Sequence, residues 1–156
     1  MQVTVKLINF GSTEYQMEVA LRRRVLRQPL GLEFSEKDLA SDAENVHFGA
    51  SVHDSAHGNE GARLIGCLFL TKADQQTVKM RQVAVAPENQ GQGIGKRLVA
   101  FAEEWARENG FVNISLKARE SAIPFYLALG YEPSGPVFQE VTLPHRQMSK
   151  LLTITP

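Results

Sequence analysis

The sequence has little of several features that would assign it to a special class of protein. Its one cysteine, Cys67, excludes an internal disulfide and suits the reducing cytoplasm, where we predict that the protein works. The 17 basic and 17 acidic side chains leave no net charge that would indicate a nucleic-acid or membrane partner. No run approaches the roughly 18 consecutive apolar residues of a membrane helix, and the N-terminus does not resemble a secretion signal.

The composition is that of an ordinary globular domain. Hydrophobic residues make up 43% and charged residues 22% of the 156 positions, which is enough apolar material for a buried core. No internal repeat, low-complexity tract or linker divides the chain. We therefore predict a single domain over residues 1–156.

The first half of the chain predicts mostly strands. Apolar residues alternate over Val3–Leu7, as on one buried face of a strand, and an amphipathic spacing predicts a helix over Thr13–Gln28. Ser35 is placed to cap a short helix that reaches Ala40. Apolar segments between short polar loops then predict antiparallel strands at Val46–Val52, Arg63–Thr71 and Thr77–Val85, with a loop at Asp54–Gly61.

The second half changes to a helical period. Apolar residues over Ile94–Trp105 fall on one face of a helix, and Asn109-Gly110 suits its end. A strand, a long helix and a strand in sequence form a βαβ unit, whose two strands are parallel neighbours. A further helix and two further strands are predicted at Ser121–Leu129, Val137–Leu143 and Gln147–Leu152. The sum is a mixed, mostly antiparallel sheet of six or seven strands with flanking helices, an α/β or α+β fold.

The segment most informative about function carries three glycines at alternate positions, Gly91, Gly93 and Gly95, between a strand and a helix. Glycine allows unusual backbone angles and lets a ligand approach main-chain amides closely. A helix N-terminus offers unpaired N–H groups and partial positive charge. No Ser, Thr, Asp or Asn stands in 90–95 to cap this helix. The segment therefore predicts a pyrophosphate at the helix start, with a glycine-rich turn that binds nothing as the alternative.

Two other phosphate motifs do not fit this segment. A P-loop requires G-x-x-x-x-G-K-S/T, but Gln90 stands at its first glycine and Arg97 at its last position. A dinucleotide fingerprint requires G-x-G-x-x-G, but Lys96 stands at its third glycine. The phosphate site is therefore of another type.

The same residues resemble the GNAT superfamily of N-acetyltransferases. Residues 90–95 match that family's Q/R-x-x-G-x-G/A loop, which holds the pyrophosphate of CoA, and Val83–Pro87 is similar to the L-x-V-x-P strand before it. Ala122–Tyr131 resembles the segment A-x-x-F-Y-x-x-L-G-F/Y. The resemblance is strong over Lys79–Lys150, just under half of the chain.

The C-terminal tail resembles the small bacterial ElaA-like branch of that family. The tail of that branch reads F-x-x-x-G-I-P-H-x-x-M, and Phe138–Met148 matches it except that Thr142-Leu143 replaces Gly-Ile. The resemblance implies a splayed pair of parallel strands that admits the pantetheine arm, and acetyl-CoA as co-substrate without a metal. The implied cofactor-binding residues are Val83, Ala84, Val85, Gln90, Gly91, Gln92, Gly93, Ile94, Gly95, Lys96 and Phe125.

The resemblance also implies how the acetyl group is handled. The acetyl carbonyl becomes an oxyanion, for which the family supplies a main-chain N–H, here near Val85. Tyr126 matches the family's tyrosine that protonates or hydrogen-bonds the departing sulfur. With free pKa values of about 10 for a phenol and about 8.5 for a thiol, full proton transfer would cost roughly 2 kcal/mol, so a hydrogen bond to the developing thiolate is the less costly alternative. Packing of the helix is the structural alternative for Tyr126.

The sequence leaves several candidates for the general base that takes the proton from the amine. Many relatives carry Glu on the strand that corresponds to Thr77–Val85, whereas this strand has no carboxylate. His145 can titrate near neutral pH and is the base candidate that we select. Glu140 and Glu33 are further candidates, and proton release through ordered water is an equal alternative.

Other polar clusters have plainer interpretations. His47, His53 and His57 offer no helix-based or cysteine-paired ligand set, because His53 and His57 fall in a predicted loop, so we predict no metal site. The basic run Arg22–Arg27 is expected to be a solvated helix face, and contact with an acidic substrate or the CoA 3′-phosphate is the alternative.

Taken together, these patterns predict an N-acetyltransferase that transfers an acetyl group from acetyl-CoA to a primary amine by direct attack. A non-catalytic acyl-CoA-binding or sensing domain is the main alternative, because the strand carboxylate is missing. The predicted partners are acetyl-CoA, an unidentified amine and, by analogy with the family, a second copy of the chain; neither nucleic acid nor a membrane is predicted.

Overall fold

The computed structural model describes residues 2–53 and 61–152. The predicted loop Asp54–Gly61 therefore lies outside the described residues except for Gly61, and His57 lies outside them as well. Among the described residues, no helix is both long and apolar enough to cross a membrane.

Seven strands are present in the described part of the chain, and they form one mixed sheet in the order β1-β2-β3-β4-β5-β7-β6. Their bounds are Val3–Ile8 (β1), Val46–His53 (β2), Ala62–Lys72 (β3), Thr77–Val85 (β4), Asn113–Arg119 (β5), Glu132–Glu140 (β6) and Leu143–Leu151 (β7). β4 and β5 pair in parallel, from Thr77 opposite Asn113 to Lys79 opposite Ser115. The pairs β1–β2, β2–β3, β5–β7 and β6–β7 are antiparallel. The predicted fold class and the predicted parallel pair are confirmed.

Four α-helices lie in the described ranges: Thr13–Arg22 (α1), Glu36–Ala40 (α2), Ile94–Glu108 (α3) and Ile123–Ala128 (α4). The predicted helix Thr13–Gln28 is too long, because regular α-helix ends at Arg22 and a π-helical turn, Arg23–Arg27, follows. Pro29 then lies in a short 3₁₀ turn that Gly31 ends with φ 68°. The predicted cap of α2 is correct, since Ser35 and Asp38 form a reciprocal capping box.

Two boundaries in the C-terminal part differ from the prediction. Ser121 lies within a 3₁₀ turn and does not cap α4, whose N-cap residue is Ala122. The predicted strand Val137–Leu143 is confirmed as far as Glu140, in β6, but its end is wrong, because the chain reverses at a two-residue turn, Val141-Thr142. Both turn residues have positive φ, of 51° and 64°, which propensity does not suggest for β-branched residues.

The chain divides into two compact units, called unit 1 and unit 2 below. Unit 1 contains the described residues of Met1–Thr71 and Gln82–Ala102, and unit 2 those of Lys72–Arg81 and Glu103–Pro156. The core of unit 1 includes a cluster that α1 shares with three strands: Ile8, Tyr15, Leu21, Leu64, Cys67, Ala84 and Ala86. Unit 2 buries its own apolar residues, among them Val78, Phe111, Ile114, Leu116, Tyr131 and Met148.

Candidate active site

The glycine-rich loop of unit 1 connects the end of β4 to the start of α3. After β4 ends at Val85, the chain makes a 3₁₀ turn, Pro87–Asn89. Gly91 and Gly93 follow with φ of 78° and 81°, and a Cβ at either position would meet no heavy atom within 4 Å. Backbone angle and not crowding therefore requires glycine here, and the loop leaves open space beside its main chain.

Two hydrogen bonds tie this loop to the neighbouring strands. The Gln90 side-chain amide donates through Nε2 to the main-chain oxygen of Val85 at 3.1 Å. The Ala86 N–H donates to the main-chain oxygen of Ile65 on β3 at 2.8 Å. The predicted cofactor residue Gln90 thus holds the loop against the strand end.

Close packing fixes the first turn of α3. Ile94 and Leu98 are 3% and 0% exposed, and both lie over Gly66 on β3. A Cβ at Gly66 would come within 2.8 Å of Leu98 Cδ1 and 3.0 Å of Ile94 Cγ2. The absence of a side chain at Gly66 therefore allows α3 to approach the sheet at this point.

The N-terminus of α3 has the properties of an anion site. Arg97 N–H donates to the Gly93 main-chain oxygen at 3.1 Å, which starts the helical hydrogen-bond pattern. The amides of Ile94, Gly95 and Lys96 precede that pattern, and Gly93 has no side chain to cap them. These donors and the positive end of the helix dipole suit a phosphate group.

One carboxylate close to this loop is already neutralised. Arg24 reaches Glu88 through two hydrogen bonds of 3.1 and 2.6 Å between exposed side chains. The hydrogen bond from Arg24 lowers the pKa of Glu88 to about 2. An anion on the loop would therefore face an ion pair and not an isolated negative charge.

The expectation of a solvated basic face is wrong for Arg22, whose side chain is 1% exposed. Its guanidinium donates through one terminal nitrogen to Glu18 at 3.0 Å and to Asp42 at 2.8 Å. Tyr15 donates its hydroxyl to Asp42 at 2.6 Å. Burial lowers the pKa of Arg22, but hydrogen bonds and charges from Asp42 and Glu18 more than offset it and raise the pKa overall.

His47 completes this buried network, whose acceptors favour the protonated ring. Its Nδ1 lies 2.8 Å from a Glu18 carboxylate oxygen, and its Nε2 lies 2.8 Å from the main-chain oxygen of Asp42. Both partners only accept, so both ring nitrogens must donate. Burial lowers the pKa of His47, but the hydrogen bond and charge of Glu18 outweigh it, and the pKa rises above its usual range. Two anions are thus matched by two cations.

The sequence reasoning missed this network, although one signal was available. Glu18 and Arg22 stand four residues apart, in the order that favours an ion pair on a helix. They also border the apolar stripe of α1 that contains Leu21. Nothing in the sequence indicates that Asp42 and His47 join them.

In unit 2, α4 presents the candidate acid Tyr126. Its side chain is 7% exposed, and the ring packs at 5.0 Å against Phe125 and at 5.7 Å against Tyr131. Burial raises the pKa of the Tyr126 hydroxyl to about 12. Phe125, a predicted cofactor contact, is 38% exposed.

The candidate base His145 lies on β7 and is 5% exposed. Its Nδ1 is 2.8 Å from the main-chain oxygen of Leu143, which can only accept, so this nitrogen carries a proton. The ring stacks on Phe138 with centroids 5.9 Å apart. In the neutral ring Nε2 is then the nitrogen with a free lone pair.

The other candidate bases form exposed ion pairs. Glu33 accepts from Arg23 at 3.1 Å, and Glu140 accepts from Lys117 at 3.1 Å. Across the part of the chain that the structure describes, no three His, Cys, Asp or Glu residues group together in a way that could hold a metal ion.

These features belong to a recognised class of protein. The acetyltransferase (GNAT) family model matches residues 19–131, which is more than half of the chain. The chain therefore belongs to the GNAT acetyltransferase family.

Individual relatives agree with that assignment. The soybean (Glycine max) protein named Probable acetyltransferase TAP2 is 33% identical over 138 residues, covering 83% of this chain and 53% of that protein. The chain thus spans about half the length of this curated relative.

Solved structures share the fold at low sequence identity. Escherichia coli ElaA superposes with a TM-score of 0.74 at 20% identity, covering 96% of this chain and 99% of ElaA. An aminoglycoside 6′-N-acetyltransferase, solved in complex with coenzyme A, superposes with a TM-score of 0.76 at 16% identity, covering 98% of this chain and 99% of that one. Another structural neighbour, a GNAT acetyltransferase from Elizabethkingia anophelis, was solved with acetyl-CoA bound.

Proposed function

We propose that the chain is an N-acetyltransferase that transfers the acetyl group of acetyl-CoA to a primary amine of a small molecule or peptide. In the reaction the amine nitrogen bonds to the acetyl carbon and the carbon–sulfur bond breaks. The products are an amide and the CoA thiol, so the proton that the amine loses ends on sulfur overall. Acetyl-CoA is the proposed co-substrate, without a metal, and the cytoplasm, which suits the buried free thiol of Cys67, is the proposed location.

The observation that carries the proposal is the geometry of the glycine-rich loop. Open main chain at Gly91 and Gly93 and the uncapped first turn of α3 offer several N–H donors to one anion. The loop residues Gly91, Gln92, Gly93 and Lys96 are exposed, so a phosphate can reach these donors. A pyrophosphate has the charge and the acceptor oxygens for such a cradle, and GNAT family membership makes CoA its expected owner.

The strand before the loop is proposed to bind the rest of the donor. Val83, Ala84 and Val85 would lie along the pantetheine arm, and a main-chain N–H near Val85 would donate to the acetyl oxygen as negative charge develops there. Because the strand and the hydrogen bond from Gln90 hold this main-chain N–H group in place, it would need little rearrangement during the reaction.

Tyr126 is proposed to assist the departure of sulfur. With its pKa near 12 and that of a free thiol near 8.5, complete proton transfer would be uphill by about 5 kcal/mol. The role that fits this value is a hydrogen bond to the developing thiolate, because such a bond needs a phenol that keeps its proton. Phe125 is proposed to contact the cofactor beside it.

His145 is proposed as the base that takes the proton from the amine. The hydrogen bond to Leu143 orients the ring and leaves Nε2 as the acceptor in the neutral form. The exposed carboxylates Glu33 and Glu140 support this choice indirectly, because each is engaged by a cation.

The test is release of CoA thiol from acetyl-CoA across a panel of amines, with wild type, Tyr126→Phe and Tyr131→Phe compared. We expect Tyr126→Phe to lower the maximal rate about 100-fold, because the hydrogen bond to the developing thiolate is lost in the transition state. Tyr131 is the matched control, since its hydroxyl donates to Glu103 at 2.8 Å and its loss should reduce stability more than turnover.

The alternative is an acyl-CoA-binding domain without catalysis, which the absence of a carboxylate on β4 favours. Tight binding of acetyl-CoA with no thiol release from any amine would select this alternative. Acetyl-CoA at 100 times its dissociation constant should stabilise a binding protein by about 2.7 kcal/mol, which is seen as a rise in melting temperature. If the melting temperature does not change, both the enzyme and the binding-domain hypotheses are excluded.

A further inference from the structure

One residue of β4, Gln82, has a backbone conformation unlike that of the strand around it. Gln82 has φ 52°, in the left-handed region, whereas residues with a Cβ favour negative φ. It directly precedes Val83–Val85, the residues proposed to bind the donor. A residue stays in such a conformation only when its surroundings hold it there.

The side chain of Arg22 contacts Gln82 directly. Its Nε donates to the Gln82 side-chain oxygen at 2.7 Å, the shortest hydrogen bond that the guanidinium makes. The other side of the same planar group donates to Glu18 and Asp42. A guanidinium bonded in several directions cannot rotate without losing charge-assisted hydrogen bonds.

Aromatic rings restrain the guanidinium further. Its carbon lies 4.9 Å from the ring centre of Phe34 and 5.1 Å from that of Phe69. Tyr15 and His47 in turn orient the two carboxylates. The nitrogen that faces Gln82 is therefore fixed in direction by groups on α1, on β2, on β3 and in the segments between them.

We propose that Arg22 is a positioning residue, which holds Gln82 in the left-handed conformation and so directs the main chain of Val83–Val85 toward acetyl-CoA. This inference rests on the proposed function. It assigns the buried network a role in donor binding and not only in stability, and it makes the Gln82 side chain the link between the two.

The test compares two small side chains at position 82 by calorimetric titration with acetyl-CoA. Gln82→Ala removes the bond to Arg22 and keeps a Cβ that disfavours positive φ, so we expect acetyl-CoA to bind about tenfold more weakly. Gln82→Gly also removes the bond, but glycine adopts positive φ without support, so binding should weaken clearly less. Gln82→Glu keeps an acceptor for Arg22 and should stay within about twofold of wild type.

A purely structural role predicts the opposite order. Glycine would then be the worse substitution, because it loosens the strand most. Equal binding by the alanine and glycine variants, or unchanged binding by Gln82→Ala with native circular dichroism, would overturn the inference. Gln139→Ala, at an exposed strand glutamine of β6, is the control and should bind as wild type does.

The same titration keeps the two proposals apart. If wild type does not bind acetyl-CoA, the proposed function fails and the inference fails with it. In the other outcome wild type binds, while the affinities of the Gln82 variants rank by side-chain size and not by how well each residue tolerates positive φ. In that case only the positioning role of Arg22 is refuted. Arg22→Lys, which retains the charge but loses the fork of donors, should weaken binding in the same direction as Gln82→Ala.

Discussion

Unit 1 and unit 2 each bury a carboxylate network beside an element that carries candidate site residues, but they neutralise the charge differently. In unit 1, Glu18 and Asp42 are matched by Arg22 and His47, all almost fully buried. In unit 2, Glu103 accepts from the Tyr131 hydroxyl and from Lys150, whose side chain is 24% exposed. Full burial makes the first network costly to break, because any partner left alone is a buried charge.

The two networks also hold different parts of the backbone. The network of unit 1 reaches a side chain, Gln82, at a left-handed position within a strand. In unit 2, Lys150 donates to the main-chain oxygen of Leu129, at the C-terminal end of α4, at 2.8 Å. That end of the helix follows Tyr126 directly, and the Tyr131 N–H donates back to the Tyr126 oxygen. One network thus contacts a residue at positive φ within a strand, and the other donates to a helix end.

The largest effect is expected for Arg22→Met. Removal of this cation leaves Glu18 and Asp42 buried with one compensating charge, so the free energy of unfolding should fall by about 3–5 kcal/mol in urea titration. Arg23→Met is the adjacent control, since its ion pair with Glu33 is exposed and should contribute less than about 1 kcal/mol. Equal losses for the two variants would contradict the contrast between buried and exposed pairs.

An intermediate effect is expected for Lys150→Met in unit 2. The substitution removes charge-assisted hydrogen bonds to Glu103 and Leu129, which should lower the free energy of unfolding by about 1.5–3 kcal/mol. Lys117→Met, which breaks the exposed pair with Glu140, should unfold almost as wild type does. A loss for Lys150→Met as large as that for Arg22→Met would show that the two networks are equivalent.

A smaller effect should appear as pH dependence of stability through His47. Its pKa is raised in the folded state, so the protonated ring stabilises the fold fully below the unfolded value of about 6.5. This contribution is lost as pH rises through the folded pKa. In urea titrations the advantage of wild type over His47→Gln should therefore narrow as pH increases above 6.5. If the difference in the free energy of unfolding between wild type and His47→Gln does not change with pH, this prediction is contradicted. His53→Gln, at an exposed position on β2, is the control.

The smallest effect is expected at the turn between β6 and β7. Val141→Asn with Thr142→Gly replaces two β-branched residues at positive φ by the pair that such a turn favours. The melting temperature should rise, with a gain of about 1 kcal/mol in the free energy of unfolding. Since this turn lies outside both networks, acetyl-CoA binding should be unchanged. A lower melting temperature would mean that the two native side chains contribute more through contacts than they cost in strain.

Much of the fold could be predicted because its signals are local. Alternation identified β1, an apolar stripe identified α3, and the strand–helix–strand order required β4 and β5 to be parallel neighbours. The glycine-rich loop could be predicted because positive φ demands glycine at Gly91 and Gly93. The reversal at Val141-Thr142 could not, since its residues favour strands and only pairing across the hairpin decides their conformation.

By itself, the sequence determined the family, the strand order around the glycine-rich loop and the absence of a side-chain cap on α3. These properties follow from spacing along the chain and from the identity of single residues. Only the tertiary structure decided that Arg22 is buried, that His47 lies against Glu18 and that Arg22 donates to the Gln82 side chain. Residues 18, 42, 47 and 82 are far apart in sequence, and their pKa values and backbone angles depend on neighbours that folding alone brings together.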